Sequence, residues 1–261
     1  MDLFSFDPTE ILSFLLTLLR ISLLVFLLPF FGGENAPKVV KAALCLVLTL
    51  GLWPYLNFPG ELFPATTLGL AIMAFGEVVL GMILGLVVRI FFAGVQTAGQ
   101  LIGFQMGFAM MNVVDPMTGV QVTLTSQFLY LMTLLLFLSL NGHLYMLHGL
   151  GQSFELVQPG ELLINPEVSE QILGFSSQIF VLGVKISAPI IAAVFLVHLA
   201  LGIMAKIAPQ VNVLFVGFPL KIGVGLFFLG TVFNILAWLL RDFVGDLLPL
   251  YQELMLTLGQ G

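Results

Sequence analysis

The amino-acid sequence predicts an all-α integral membrane protein built from several long helices. Three observations predict it: the composition, the length of the apolar segments, and the turn chemistry of the breaks between them. Of the 261 residues, 59% are hydrophobic and only 8% are charged, whereas soluble domains carry roughly 25% charged residues. This composition excludes a water-soluble globular enzyme, and it excludes intrinsic disorder, which requires low hydrophobicity and high charge.

Six apolar segments are each long enough to cross a bilayer, which takes about 20 residues. They are Ile11–Phe31, Val39–Leu56, Thr66–Val95, Phe128–Leu150, Ile172–Met204 and Val211–Leu240. Glycine, proline, asparagine and acidic residues fill the breaks at 31–37, 57–61, 158–170 and 208–210, as is typical of turns and loops. The sequence therefore predicts six simple crossings.

Charge placement orients these crossings and excludes other classes of protein. Five basic residues fall on or nearest one side, and Arg241 falls on the other, so the positive-inside rule places the five in the cytoplasm. The five are Lys38, Lys41, Arg89, Lys206 and Lys221.

The net charge of −6 argues against a nucleic-acid partner, and the single cysteine, Cys45, excludes an internal disulfide or a thiolate cluster. The acidic first ten residues lack the basic start of a signal peptide, so we expect that the N-terminal segment is not cleaved and remains on the mature protein.

The stretch Gln96–Gln127 does not fit a plain span. Gly94, Gly99, Gly103 and Gly107 recur near one-turn spacing, which favours close approach of another helix. A helix-breaking Asp115-Pro116 pair follows. Non-helical backbone at membrane depth is tolerated only inside protein or beside water. The stretch is therefore either a re-entrant loop or plug, or an amphipathic cytoplasmic linker.

Flexible apolar side chains are concentrated in this glycine-rich stretch, where they could seal a pore by excluding water. They are Phe104, Met106, Phe108, Met110 and Met111. Ordinary core packing is the alternative interpretation, and it describes most of the other phenylalanines in the chain.

Ionisable residues inside the apolar segments are costly at mid-bilayer, at about 2.5–3.5 kcal/mol each when they face lipid. They are Arg20, Glu77, Arg89, Lys185 and His198. Three interpretations stay open: a proton or ion relay, ion pairs within or between subunits, and snorkelling at segment ends. The sequence contains no catalytic signature, and His143 and His148 are poorly spaced for a zinc site. We therefore expect no enzyme activity and no cofactor.

Four motifs in order resemble the FliR family of flagellar type III export-gate proteins, which has virulence-secretion relatives. The most specific runs from Lys206 through Pro209, Gln210, Asn212, Gly217 and Pro219 to Lys221. The others are Arg20 with Pro29 and Gly32; the stretch 97–107 leading to Asp115-Pro116; and the stretch 137–144, which matches the flagellar branch. The resemblance covers nearly the whole chain.

The resemblance implies a core subunit of the flagellar export gate in the bacterial inner membrane, within the basal body. One copy would join several FliP and FliQ copies in a helical assembly through which unfolded substrates enter, with FlhB around the cytoplasmic mouth and FlhA beneath. Residues 1–170 would be similar to FliP and 171–261 would form a hairpin similar to FliQ. Membrane-like segments would then pack against protein, which would replace the simple six-span picture.

The resemblance also implies roles for particular residues. Residues 103–120 become a plug loop that closes the channel, sealed by the Phe and Met cluster with Asp115 and Pro116. Pro209 and Gln210 shape the hairpin tip, and Gly217 and Pro219 bend the next helix. Arg20 and Lys185 become candidates for buried pairing, with Glu77 as one partner. The competing hypotheses are a secondary transporter using Glu77, Lys185 and His198, a virulence-type homologue, and a membrane-embedded enzyme.

Overall fold

The computed structural model describes residues 8–29, 37–56, 63–64, 66–108, 123–162, 166–210 and 212–259. These residues form seven α-helices, one short 3-10 turn at Trp53–Tyr55 and no strand, which confirms the all-α prediction. The helices are α1 Pro8–Leu27, α2 Lys38–Leu52, α3 Thr67–Met106, α4 Leu124–Ser139, α5 Gly142–Leu156, α6 Pro166–Ile207 and α7 Val213–Gly259. In this part of the chain, five helical stretches are long and apolar enough to cross a membrane, and α4 with α5 makes a possible sixth.

The fourth apolar segment is not one helix, which differs from the sequence prediction. Asn141 lies in the left-handed region at φ 58° and ψ 24°, and the chain turns there between α4 and α5. An L-residue in this conformation cannot continue a right-handed helix, and asparagine is among the few that adopt it readily. The Asn141-Gly142 pair therefore ends the segment even though apolar residues continue on both sides.

Three helices are much longer than the apolar segments predicted. Helices α3, α6 and α7 contain 40, 42 and 47 residues, which correspond to about 60–70 Å at 1.5 Å per residue. Helix α3 runs on through Gln96 to Met106, so the first third of the unusual stretch is helical. Helix α7 continues 19 residues past the predicted end at Leu240.

The chain divides into two compact units. Unit 1 comprises Met1–Arg89, Asn141–Phe175 and Val244–Gly261. Its core holds fully buried aliphatic side chains of α1, α3 and α5 around Tyr251. The Tyr251 hydroxyl donates to the Leu84 carbonyl at 2.9 Å, and its ring lies against Gly149, where any larger side chain would collide with it.

Unit 2 comprises Ile90–Leu140 and Ser176–Phe243. Its core contains an aromatic cluster in which the Phe91 and Phe243 rings stack at 4.4 Å and Phe92 meets Phe137 edge-on at 5.8 Å. Gly94 lies under Leu182 of α6, whose Cβ would be 2.9 Å from a Cβ added to the glycine. The predicted close helix approach along this glycine row is therefore found in the structure.

Candidate functional site

A buried ion pair joins α1 to α3 in unit 1. Arg20 and Glu77 both have fully buried side chains. The Arg20 Nε donates to Glu77 Oε2 at 2.6 Å and Nη2 donates to Oε1 at 2.8 Å. This bidentate arrangement uses the matched planes of guanidinium and carboxylate, which makes it one of the strongest polar contacts available to a protein.

The remaining Arg20 donors bind the end of α5. Nη1 donates to the Ser153 carbonyl at 2.8 Å and to the Ser153 Oγ at 3.2 Å, and Nη2 donates to the Val157 carbonyl at 3.0 Å. The guanidinium carbon also lies 4.1 Å from the centre of the Phe154 ring. All five N–H groups of an arginine are thus engaged. These carbonyls lie at the C-terminal end of α5, where the last C=O groups of a helix need partners beyond the helix itself. The Ser153 carbonyl also accepts the Val157 N–H at 3.1 Å.

Two glycines of α3 let α1 come close enough for this pairing. A Cβ added to Gly81 would collide with the Arg20 carbonyl oxygen, and one added to Gly85 would lie 2.6 Å from the Leu27 Cβ. Gly81 and Gly85 are four residues apart, so they lie on one face of the helix, and this is the small-residue spacing that brings helices together in membranes. Arg20, Glu77 and these glycines therefore form one packed junction, which we call the Arg20 junction.

The Arg20 junction leaves Glu77 without a free carboxylate oxygen, because Arg20 occupies both. Lys185, the other candidate for buried pairing, is exposed on α6 within unit 2. His198 is also exposed on α6. Of the three residues of the transporter hypothesis, Glu77 is already engaged as a structural anion. The arrangement does not favour a proton path through these groups.

The described part of the unusual stretch ends in a helix stop at Gly107. This glycine has φ +91°, Phe108 N–H donates to the Gly103 carbonyl at 2.9 Å, and Gly107 N–H donates to the Phe104 carbonyl at 3.1 Å. The pattern is a Schellman motif, which favours glycine at the left-handed position. Helix α3 therefore ends at a defined residue, Met106.

The chain returns beside the last turns of α3 at the start of α4. The hydroxyls of Thr123 and Thr125 donate to the Gly99 carbonyl at 3.2 and 2.7 Å, and Ser126 Oγ donates to the Gln96 carbonyl at 3.0 Å. Thr123 also caps α4 by accepting from the Ser126 N–H. Phe108 and Thr123, the described residues on either side of 109–122, thus both contact the last turns of α3.

The structure separates the predicted seal residues. Phe104 is exposed and Phe108 is half-buried, whereas Met106 is fully buried. The Met106 sulfur lies 2.7 Å from the position of a Cβ added to Gly225 of α7, so Met106 fills the core of unit 2. The other predicted seal and plug residues, Met110, Met111, Asp115 and Pro116, lie outside the described residues.

The predicted hairpin tip lies between α6 and α7 of unit 2. Helix α6 ends at Ile207 and α7 begins at Val213. Asn212 starts α7 by accepting the Phe215 N–H with its side-chain oxygen at 3.3 Å. The motif residues Lys206, Pro209, Gln210 and Pro219 are exposed, Lys221 is half-buried and Gly217 is buried. Helix α7 runs continuously through the Gly217 and Pro219 positions.

Several contributors to the Arg20 junction were missed by sequence reasoning. Ser153, Phe154 and the Val157 carbonyl escaped because they carry no charge and lie more than 130 positions from Arg20. The Gly81 and Gly85 spacing was a usable signal, since it marked the face of α3 that approaches a neighbour. Among the described residues, no group of three His, Cys, Asp or Glu side chains could hold a metal ion.

Comparison with known proteins gives a consistent result along the chain. The family described as bacterial export proteins, family 1, matches residues 11–247. The chain is 34% identical to the flagellar biosynthetic protein FliR of Bacillus subtilis (strain 168) over 250 residues, covering 95% of this chain and 96% of that protein. It is 32% and 30% identical to the FliR proteins of Aquifex aeolicus (strain VF5) and Escherichia coli (strain K12), with 84% of each chain covered. This chain therefore belongs to bacterial export proteins, family 1, as a member of its FliR group.

Proposed function

We propose that this chain serves flagellar biosynthesis as a subunit of the export gate, assembled with FliP and FliQ. The observation that carries the proposal is the exposed apolar face of α7. Val216, Phe227 and Leu256 lie within about 40° of one another around the helix axis, and they are 43%, 80% and 45% exposed. From Val216 to Leu256 the helix rises about 60 Å.

A lipid bilayer is too thin to cover such a face. Its hydrocarbon core is about 30 Å thick, so a straight helix of this length would have to tilt by about 60°, whereas transmembrane helices tilt by about 0–40°. Apolar side chains left outside the core would face water. Neighbouring protein subunits are the cover that suits both ends of the face, because large exposed apolar patches mark protein interaction sites.

The Arg20 junction supports the same proposal by a second, independent argument. The most costly charges of unit 1 are paired within the chain, so its surface offers mainly apolar contact. Such a subunit gains its partners through shape and apolar burial, with no chemistry to perform on a substrate. We place the assembly in the bacterial inner membrane within the basal body, with FlhB and FlhA on its cytoplasmic side.

We also propose that different parts of the chain have different roles. Residues 1–170 correspond to FliP and 171–261 to a FliQ-like hairpin whose tip, at Pro209 and Gln210, faces the cytoplasmic entrance. Within the predicted plug region 103–120, the part after the helix stop at Gly107 closes the channel that unfolded substrates enter. The pinned ends of this stretch, at Phe108 and Thr123, support this role because they fix where it enters and leaves the fold.

The proposal is tested by measuring the subunit composition of the purified complex. The tagged chain is co-expressed with its FliP and FliQ partners, extracted in mild detergent and weighed by native mass spectrometry. We expect a large complex that contains one copy of this chain and several copies of each partner. A monomer or a small homo-oligomer, obtained while both partners are expressed, would contradict the proposal.

The plug is tested by deleting residues 109–118. This deletion spares Met106, which fills the core, and both pinned ends. We expect the complex to assemble with unchanged mass while the membrane becomes leaky to ions. Unchanged ion conductance in an assembled complex would remove the plug assignment without affecting the subunit proposal.

A further inference from the structure

A cleft of about 550 Å³ lies in unit 2 between the tip-proximal parts of α6 and α7. Its lining includes the small residues Gly202 and Gly217, the larger Leu201 and Phe218, and Gly107 just beyond the end of α3. A Cβ added to Gly202 would meet no atom within 4 Å. Gly202 therefore leaves open space on the α6 side of the cleft, whereas a Cβ added to Gly217 would lie 2.9 Å from the Leu201 side chain.

The polar side chains on the lining, among the described residues, are both basic: His198 and Lys221. No carboxylate of the described chain lines the cleft. The cleft thus presents the positive charge of Lys221 and the polar ring of His198 on a lining that is otherwise apolar. It is the opposite of the Arg20 junction, where the charge is fully paired.

An anionic phospholipid matches this distribution. A phosphate would meet His198 and Lys221, and acyl chains would follow the exposed apolar side chains beside the cleft, Ile203 and Leu214, which are 61% and 69% exposed. A peptide fits less well, because its backbone N–H and C=O groups would need partners that this lining does not offer. Basic pockets between membrane helices on the cytoplasmic side are known to bind anionic headgroups, and the positive-inside rule places this end there.

We propose that the cleft between α6 and α7 is a binding site for an anionic phospholipid, with Lys221 and His198 holding the phosphate. The inference goes beyond the proposed role in export, and its test does not depend on an assembled gate.

The test measures lipid retention by the full-length chain purified in mild detergent. Phosphatidylglycerol and phosphatidylcholine are added at equal concentration, and bound lipid is counted by native mass spectrometry. We expect phosphatidylglycerol to be retained in preference to phosphatidylcholine. Lys221→Gln should lower phosphatidylglycerol retention about fivefold, the effect of one basic residue near a membrane surface, and Lys221→Arg should retain it.

Two further variants separate the cleft from general charge effects. Arg241→Gln removes a basic residue from the exposed surface of the same helix, away from the cleft, and should leave retention unchanged. Gly202→Leu should reduce retention with both basic residues in place, because it adds an apolar side chain at a cleft-lining position where a Cβ meets no atom within 4 Å. Equal retention of the two lipids, or unchanged phosphatidylglycerol retention in both Lys221→Gln and Gly202→Leu, would overturn the proposal.

Discussion

The Arg20 junction of unit 1 and the basic cleft of unit 2 place positive charge in apolar helices in opposite ways. Arg20 is fully buried, and two carboxylate oxygens, two backbone carbonyls and a hydroxyl take its donors. Lys221 is half-buried beside an open cleft whose described lining holds no acid. The difference teaches that a charge whose donors are all paired can be fully buried in the fold, whereas a charge without such partners is available to a ligand.

The largest predicted effect comes from breaking the junction. Arg20→Leu would leave Glu77 buried without its partner, which typically costs about 3–5 kcal/mol. We expect a strong loss of stability in SDS-titrated unfolding in mixed micelles and low accumulation in membranes.

The double variant Arg20→Leu with Glu77→Leu is the matched control for this prediction. Replacing a buried ion pair by apolar residues is often close to neutral, so the double variant should be more stable than Arg20→Leu alone. If both variants unfold at the same SDS concentration, the uncompensated charge is not the cause of the loss.

A smaller effect is expected from the packing that permits the pair. Gly81→Ala would push a methyl group into the Arg20 carbonyl oxygen and to 2.9 Å from the Leu23 Cβ, at a cost of about 1–3 kcal/mol. Gly151→Ala in α5 is the control, since its added Cβ would meet nothing within 4 Å. The control should be stabilised by about 0.5–1 kcal/mol. Equal unfolding midpoints for the two variants would refute the close-approach argument.

Ser153→Ala should weaken the junction only slightly. It removes the 3.2 Å contact to Arg20 Nη1, while the same nitrogen keeps the Ser153 carbonyl at 2.8 Å. A hydrogen bond of this kind contributes about 1 kcal/mol. The shift in unfolding midpoint should be a fraction of that in Arg20→Leu, and a loss as large as Arg20→Leu would show that the hydroxyl, not the ion pair, dominates.

The smallest effect on stability is predicted at the cleft. Lys221→Gln removes no described ion pair, so the free energy of unfolding should change by no more than about 0.5 kcal/mol. The same variant should lose lipid retention, which separates binding from folding. A destabilisation comparable to that of Gly81→Ala would mean that Lys221 has a structural partner and that the comparison with Arg20 fails.

Much of the fold follows from local chemistry and was predictable. Long apolar runs require helices because backbone groups in lipid must pair within the segment, and five helices have this character. The glycine row from Gly94 to Gly103 predicted close helix approach, and the structure places Leu182, Ser126 and Thr125 against it. Apolar periodicity alone did not show that the helix ends before Asn141, because that end depends on one residue in the left-handed conformation.

The candidate site was only partly predictable, for a physical reason. Placing Arg20 and Glu77 in lipid is costly, so the sequence indicated that buried charges need partners. The backbone carbonyls that accept the remaining Arg20 N–H groups belong to the end of α5. The position of that helix end relative to Arg20 is not encoded in any sequence pattern. Met106 illustrates the same limit, because a methionine in a plug and one in a core look alike until Gly225 is placed beside it.

The central claim is that partner subunits cover the exposed apolar face of α7. The most direct measurement is site-specific photocrosslinking in cells, with a photoreactive phenylalanine analogue at Phe227 or Leu256 and, as a control, at the fully buried Leu236. We predict covalent adducts of the two exposed positions with FliP or FliQ, identified by mass spectrometry, and none from Leu236. Phe227 and Leu256 adducts with lipid alone, in cells that produce both partners, would contradict the claim.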